Sequence, residues 1–234
     1  MEELPLSYVR MNILVLVAGT NEPSNSDTLA HAFIQGIEQH GDVHCDKIRL
    51  KDLRIDHFEL DFYQPKCNQE EDFCKIQKLI EESHGLVIAT PVWNFSVPAH
   101  LKNLIDRMGS FALDASRSNG TLKGKPFYLI YTGGVPMPGW KTLMRKTTSH
   151  LPESLQYFGA SFIGQHYEPK CTQGRGVFGL VVDGRPDSIE SIRRKGYDFA
   201  KIVMEYKRTG KAPMKHRTKA KIMKWGEAVL KRVA

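Results

Sequence analysis

The sequence of 234 residues lacks the marks of several protein classes. It contains four cysteines (Cys45, Cys67, Cys74 and Cys171) and no Cys-x-x-Cys pair, so we expect neither a disulfide framework nor a zinc or iron–sulfur site. Its first ten residues have no apolar signal-peptide core, and no run approaches the roughly 18 apolar residues of a membrane span. These absences predict a soluble, cytoplasmic protein that holds no metal.

Positive charge is concentrated at one end of the chain. The net charge is +7, yet residues 201–234 hold eleven Lys/Arg and two acids, which leaves residues 1–200 at −2. A nearly neutral body argues against nucleic acid as a partner. We interpret 207–234 as a basic, helical C-terminal extension with Ile222, Trp225 and Val229 on one face. That face could dock on the body or on a partner subunit, which we favour, or lie on an anionic membrane surface.

The apolar pattern alternates between short buried strands and amphipathic helices. Strands are predicted at 12–18, 43–48, 86–89, 127–131 and 160–167. Helices are predicted around Leu29–Ile37, Phe73–Ile80 and Leu101–Met108, over 140–158, and from a capping pair of Asp187 and Glu190 onward. Residues 50–69 are expected to form a long connection, 109–125 a surface excursion, and Val177–Val182 a candidate further strand.

This alternation predicts an α/β fold with a doubly wound, five-stranded parallel sheet between two helix layers. We assign residues 1–206 to this domain. Right-handed crossovers would bring the loops after residues 18, 90 and 131 to the carboxyl edge of the sheet, where open α/β sheets bind their ligands.

The loop after the first strand carries hydroxyl and amide side chains and leads into a helix N-terminus. Thr20, Ser24, Asn25 and Ser26 can donate hydrogen bonds, and the free amides of a first helical turn favour an anion. Hydrogen bonds to a charged group contribute about 1.5–3 kcal/mol each, so several of them could hold a phosphate without a lysine. This loop fits neither GxxxxGK[ST] nor GxGxxG. The alternative is that Ser24 or Ser26 only caps the helix.

The second and third loops offer aromatic rings and close backbone approach. The second contains Pro91, Val92, Trp93, Asn94, Phe95 and Ser96. A flat, half-polar ligand would cover these rings; otherwise Trp93 or Phe95 packs into the core or a subunit interface. The third loop, Thr132-Gly133-Gly134, lets a ligand approach the backbone, or it is a plain turn.

Together these residues resemble the flavodoxin-like NAD(P)H-dependent FMN reductases. The run from Pro91 to Pro98, with Leu101-Lys102-Asn103 and Asp106, is similar to the family signature P-x-Y/W-N-x-S-x-P-x-x-L-K-N-x-x-D over 16 positions. The first and third loops resemble the family's phosphate loop and third flavin loop, and the likeness extends over residues 11–205. One departure is Asn21-Glu22-Pro23, where the family often has Arg or Lys.

The resemblance implies non-covalently bound FMN that receives hydride from NADPH or NADH and passes it to a quinone, free flavin or similar small acceptor. Thr20, Ser24, Asn25 and Ser26 would hold the phosphate, residues 91–96 the ring, and Thr132–Gly134 another side of it. No side chain is expected to be catalytic, because the flavin carries the chemistry. A homodimer or homotetramer is also implied. The alternatives are a flavodoxin-like electron carrier without nicotinamide turnover, and a non-enzymatic binding module.

Overall fold

The computed structural model describes residues 10–63, 70–174 and 176–212, and its centre is one parallel β-sheet. Its five strands run in the order β2-β1-β3-β4-β5. The strands are β1 Met11–Val17, β2 Val43–Arg49, β3 Gly85–Pro91, β4 Pro126–Thr132 and β5 Ser161–Glu168. Every neighbouring pair is parallel. The sequence-based prediction of a doubly wound, flavodoxin-like sheet is confirmed.

The three central strands are apolar on both faces because helices cover both. The longer helices are α1 Asn25–Glu38, α2 Glu71–Glu82, α3 Ala99–Met108, α6 His150–Tyr157 and α7 Pro186–Thr209. Alternate strand residues separate into two clusters: Leu14 and Leu16 face α2, α3 and α6, whereas Ile13, Val15 and Val17 face α1 and α7. The molecule is therefore the predicted three-layer sandwich.

Two glycines set the close approach of α1 to α7. A Cβ on Gly36 would overlap the carbonyl of Arg193, and a Cβ on Gly196 would overlap the carbonyl of Phe33. This contact places Phe33 against Tyr128 and Phe199, with ring centroids 5.0 and 5.7 Å away. Close packing here fixes the position of α1, whose N-terminus borders the site described below.

Several predictions about the connections were wrong. The single helix expected over 140–158 is divided into α4 Met137–Gly139, a π-helical turn Trp140–Met144, α5 Arg145–Thr147 and α6. The segment 50–69 is less irregular than expected where it is described, because 3-10 turns form at Leu50–Asp52 and Leu60–Tyr63.

Val177–Val182 does not form a strand. The amides of Val181 and Val182 both donate to the side-chain oxygen of Asn25, at 2.9 and 3.2 Å, instead of to a neighbouring strand. A side chain from a remote helix therefore satisfies the backbone here, which a local pattern does not reveal.

The capping pair of Asp187 and Glu190 is also absent, because α7 begins at Pro186 after Arg185, and Glu190 instead binds Arg193 at 2.6 Å. The last helix continues to Thr209, three residues beyond the predicted domain boundary, and Gly210 ends it with φ = 66°. The predicted helical face with Ile222, Trp225 and Val229 lies outside the described residues. Among the helices in the described ranges, none combines the length and apolarity needed to cross a bilayer.

Arg107 of α3 joins the segment before α2 to the body. Its side chain is fully buried, with the guanidinium 3.5 Å from the Phe62 ring centroid and 4.1 Å from that of Phe73. It donates to both carboxylate oxygens of Glu70, at 2.8 and 2.6 Å, and to the carbonyl of Asp56 at 2.9 Å. These contacts pair the buried guanidinium with a carboxylate and replace its hydrogen bonds to water, which is what allows a charge to be buried.

Candidate functional site

Four chain segments meet at the carboxyl edge of the sheet and line one open cleft. They are the loops after β1, β3, β4 and β5. The three loops predicted to share an edge do meet there, and the fourth is new.

The loop after β1 presents two buried hydroxyls to the cleft. The Oγ atoms of Ser24 and Ser26 lie 3.1 Å apart, and the side chains are almost fully buried. Ser24 Oγ also accepts from the amide of Asp27 at 3.4 Å and so caps α1. A Cβ on Gly19 would overlap both hydroxyls, so only glycine leaves this space open. Ser24 therefore both caps α1 and lines the cleft.

Of the residues predicted to bind phosphate at this loop, Thr20 does not line the cleft and the side chain of Asn25 is engaged by other residues. Thr20 is exposed, and the residues that line the cleft on this side are Gly19, Asn21, Ser24, Asn25 and Ser26. The amide side chain of Asn25 is already engaged, since its Nδ2 donates to the carbonyl of Gly179 at 2.8 Å and its oxygen accepts from Val181 and Val182. Its side chain ties α1 to the fourth loop.

The loop after β3 is a tight two-residue turn. Trp93 and Ser96 exchange backbone hydrogen bonds of 2.8 and 2.9 Å, with Asn94 and Phe95 between them at φ = 47° and 68°. Both central residues at positive φ make this a type I′ geometry. Pro91, Val92 and Trp93 line the cleft, with Trp93 half-buried, whereas Phe95 is 57% exposed. Ser96 and Phe95 shape the turn rather than the cleft wall.

The loop after β4 is held from two sides. The carbonyl of Thr132 accepts from Val92 at 2.8 Å, and the amide of Gly133 donates to the carbonyl of Glu168 at 3.1 Å. Cys171 then donates its amide to the carbonyl of Gly133 at 2.9 Å. Thr132, Gly133 and Gly134 all line the cleft, as predicted.

A loop that sequence reasoning missed forms the fourth wall. Cys171, Thr172, Phe178 and Gly179 line the cleft from the segment after β5. Its glycines, Gly174, Gly176 and Gly179, have the spacing GxGxxG and could have indicated it. The stretch does not open a helix, since α7 begins at Pro186, so it is not the dinucleotide-binding turn.

A buried ionic network supports the third and fourth loops from below. Glu168, 4% exposed, binds His166 Nε2 at 3.0 Å, Arg185 at 2.8 Å and Ser188 at 3.0 Å. Burial opposes the ionisation of Glu168. The hydrogen bonds, of which that from His166 has the largest effect, nevertheless hold the pKa of Glu168 below its ordinary value. Lys195 Nζ lies 2.7 Å from His166 Nδ1. That nitrogen must accept, so His166 donates through Nε2 to Glu168.

The cleft itself contains little titratable chemistry. Of the described residues that line it, Cys171 alone carries an ionisable side chain. Burial, assisted by the nearby Glu168 carboxylate, raises the pKa of this thiol to about 11, so it stays protonated at neutral pH. The donors on offer are therefore hydroxyls, amides and backbone N–H groups.

These donors fit a phosphorylated planar ring. The hydroxyl pair at Gly19 and the N-terminus of α1 suit a phosphate. Beyond it, the half-buried Trp93 and the glycine backbone of residues 133 and 134 leave a partly apolar cleft with hydrogen-bonding edges. An isoalloxazine ring has the same combination of an apolar face and polar edges.

The chain is similar to known flavin enzymes in sequence and fold. Residues 11–167 match the family model of the NADPH-dependent FMN reductases. Two Clostridium botulinum proteins named FMN-dependent NADH:quinone oxidoreductase are each 26% identical: one, of strain Alaska E43, over 63% of this chain and 81% of its own, the other, of strain Eklund 17B, over 74% and 87%. The solved NAD(P)H:quinone oxidoreductase of Methanothermobacter marburgensis shares the fold, with a TM-score of 0.67 and 17% identity over 81% of this chain and 97% of that one.

The sheet order and the cleft at its carboxyl edge define a flavodoxin-like protein of the flavin-binding kind. The chain belongs to the NADPH-dependent FMN reductase family. It is an FMN-dependent oxidoreductase with a nicotinamide as electron donor and a small molecule as electron acceptor.

Proposed function

We propose that this cleft is the FMN site and that the enzyme reduces quinones or related small ring compounds with NADH or NADPH. The observation that carries the proposal is the meeting of a buried hydroxyl pair, a helix N-terminus and Trp93 in one cleft. The C. botulinum relatives, which are named as quinone oxidoreductases, support the choice of acceptor.

Each wall of the cleft has its own role in this proposal. Ser24, Ser26 and the amides of the first turn of α1 bind the phosphate. Pro91, Val92 and Trp93 lie against the ring, with Asn94, Phe95 and Ser96 forming the turn that holds them. Thr132, Gly133 and Gly134 bound another side of the ring through their backbone. Asn25 contributes by fixing the fourth loop, and Thr20, which is exposed, contributes least.

The bound flavin supplies the hydride-accepting and hydride-donating chemistry. The protein's part is positioning and electrostatic support. The backbone hydrogen bonds among Val92, Thr132, Gly133 and Glu168 hold the second and third loops in place, so the cleft wall need not rearrange during the reaction. No side chain is assigned as acid or base, and the protonated Cys171 is given no nucleophilic role.

We also propose a cytoplasmic homodimer or homotetramer with a body ending near residue 206 and a basic extension over 207–234. Cys45 and Cys171 are in no disulfide, which is the usual state of thiols in a reducing compartment. Membrane contact by the extension is tested by comparing the vesicle binding of the full chain with that of a chain shortened at residue 210. We expect the two chains to bind vesicles equally weakly.

The proposed function is tested by absorption spectra and turnover. We expect the purified protein to bind FMN, to quench its fluorescence, and to oxidise NADH or NADPH when a quinone is added. A protein that fails to quench FMN fluorescence on titration would overturn the proposal. Bound FMN without oxidation of either nicotinamide would instead indicate an electron carrier.

A further inference from the structure

Phe178 is a large apolar side chain left in solvent at the mouth of the cleft. It is 70% exposed, although a phenyl ring is among the groups that gain most from burial. It lines the cleft and also a neighbouring open recess, together with Asn21, Val92, Trp93 and Asn94. We call this second space the outer recess.

The chain around Phe178 is fixed rather than loose. Asn25 makes three hydrogen bonds, to Gly179, Val181 and Val182, immediately after the ring. Before it, the amide of Gln173 donates to the carbonyl of Val177 at 3.0 Å. The backbone that carries the exposed ring is therefore held in place, and Phe178 and Trp93 line the same recess, so a ligand need not order this loop before it binds.

The outer recess has the chemistry of a ring-binding slot. Two aromatic side chains, Trp93 and Phe178, supply apolar faces, while the amides of Asn21 and Asn94 supply hydrogen-bond donors. The described residues that line it carry no charge. Such a surface suits a flat, uncharged ring with carbonyl oxygens and gives little to a compact inorganic anion.

We propose that Phe178, held by Asn25, determines acceptor specificity by forming with Trp93 a slot for planar quinones. This inference rests on the proposed function and deepens it, because it names the residue that selects planar quinones among possible acceptors. Phe178 binds the acceptor and takes no part in electron transfer. Asn25 acts through Phe178 and is a positioning residue.

The test compares Phe178→Ala with Phe178→Tyr and with Val177→Ala. Val177 is a matched control, since it is the neighbouring residue, is 52% exposed, and lines neither space. The acceptors are a 1,4-naphthoquinone and ferricyanide, each with saturating NADH. An aromatic contact contributes about 0.5–1.5 kcal/mol, which corresponds to a change of about 2- to 12-fold.

We expect Phe178→Ala to lower the ratio of kcat/KM for the quinone to kcat/KM for ferricyanide about 3- to 10-fold, through KM. Phe178→Tyr should restore the ratio, and Val177→Ala should leave it unchanged. Quenching of tryptophan fluorescence by the naphthoquinone should show the same loss of affinity without turnover.

Two results for Phe178→Ala would overturn the inference: an unchanged ratio, which includes an equal loss with both acceptors, or, when NADH is varied at a fixed quinone concentration, a rise confined to the KM for NADH. The last would assign the ring to the nicotinamide. If the wild-type protein oxidises NADH with neither acceptor, the proposed function fails, and this inference fails with it.

Discussion

The hydroxyl oxygens of Ser24 and Ser26 lie 3.1 Å apart at the start of α1, in the space that the missing side chain of Gly19 leaves open. One glycine and two serines thus form a small, buried group of donors at a helix N-terminus. The alternative in which the serines only cap the helix accounts for Ser24 Oγ and Asp27, but not for the burial of Ser26 in the cleft wall.

The Ser26→Ala variant is expected to weaken FMN binding about tenfold or more, because one hydrogen bond to a charged group contributes about 1.5–3 kcal/mol. Riboflavin, which has no phosphate, should bind the variant as it binds the wild type. Fluorescence titration with both flavins measures this. Thr20→Ala is the control and should change neither affinity much, since Thr20 is exposed. Equal losses for FMN and riboflavin would contradict a phosphate contact.

Cations at the end of β2 and in the 3-10 turn after it bind the first loop, where the family often has Arg or Lys in the loop itself. Arg49 binds Glu22 at 2.6 Å and the carbonyl of Asn21 at 3.3 Å, and Lys51 binds Glu22 at 2.7 Å. The Lys51 ammonium, with help from Arg49, lowers the pKa of Glu22. The cationic groups absent from the loop sequence are thus supplied by the neighbouring strand end.

We expect Arg49→Gln to weaken FMN binding about two- to threefold at low salt, by loosening the loop and removing a nearby positive charge. The difference from the wild type should shrink at high ionic strength. Lys78→Gln, which breaks an exposed pair with Glu82 on α2, serves as the control. Titrations with FMN at two salt concentrations test this prediction. An effect of the same size on riboflavin binding would contradict a role for the charge of Arg49 in binding the phosphate.

The ion pair of Glu70 and Arg107 should make the free energy of unfolding depend on pH in the acidic range. The hydrogen bonds from Arg107 lower the pKa of Glu70 to about 2, although partial burial opposes ionisation. Since this pKa lies below the unfolded value, the contribution of Glu70 is complete above about pH 4.5 and is lost as the pH falls toward 2.

Glu70→Gln is expected to lower the free energy of unfolding by about 2 kcal/mol at pH 7, because Arg107 stays buried with a weaker partner. Urea unfolding at pH 7 and at pH 3 measures this, and the difference between wild type and variant should be smaller at pH 3. Glu71→Gln, at the exposed adjacent position, should behave as wild type at both pH values. A difference independent of pH would contradict the role of the carboxylate charge.

Phe95 occupies a backbone conformation that suits asparagine better than phenylalanine. At φ = 68° a side chain with a bulky ring costs about 1 kcal/mol, whereas Asn tolerates the left-handed region. We expect Phe95→Asn to raise the free energy of unfolding by about 0.5–1 kcal/mol. Thermal unfolding would show the change. A fall in stability would mean that the ring makes packing contacts worth more than the strain.

The sequence was sufficient where the signal is local. Short β-branched strands such as Met11–Val17 and Gly85–Pro91 can only be buried between helices, so the sheet and its layers followed from periodicity. The loops after β1, β3 and β4 followed in turn, because parallel strands end at one edge. The second loop was also specific enough to indicate the family.

The missed features depend on contacts between distant residues. Asn25 reads as a phosphate donor in the sequence, but it is bonded to residues more than 150 positions away. The sequence of Val177–Val182 predicts a strand, but the amides of Val181 and Val182 donate hydrogen bonds to the side chain of Asn25. Arg49 and Glu22 are 27 positions apart, so their pairing is invisible to the pattern of the loop.

The amino-acid sequence by itself therefore determined the α/β architecture, the edge of the sheet that carries the site, and the flavin-reductase family. Only the tertiary structure decided which polar side chains line the cleft and which hydrogen-bond to the loops that form its walls. It also revealed the fourth loop, which carries Phe178. The reason is physical: burial periodicity is set by neighbours along the chain, whereas a hydrogen bond or an exposed ring takes its role from whatever partner the fold brings near.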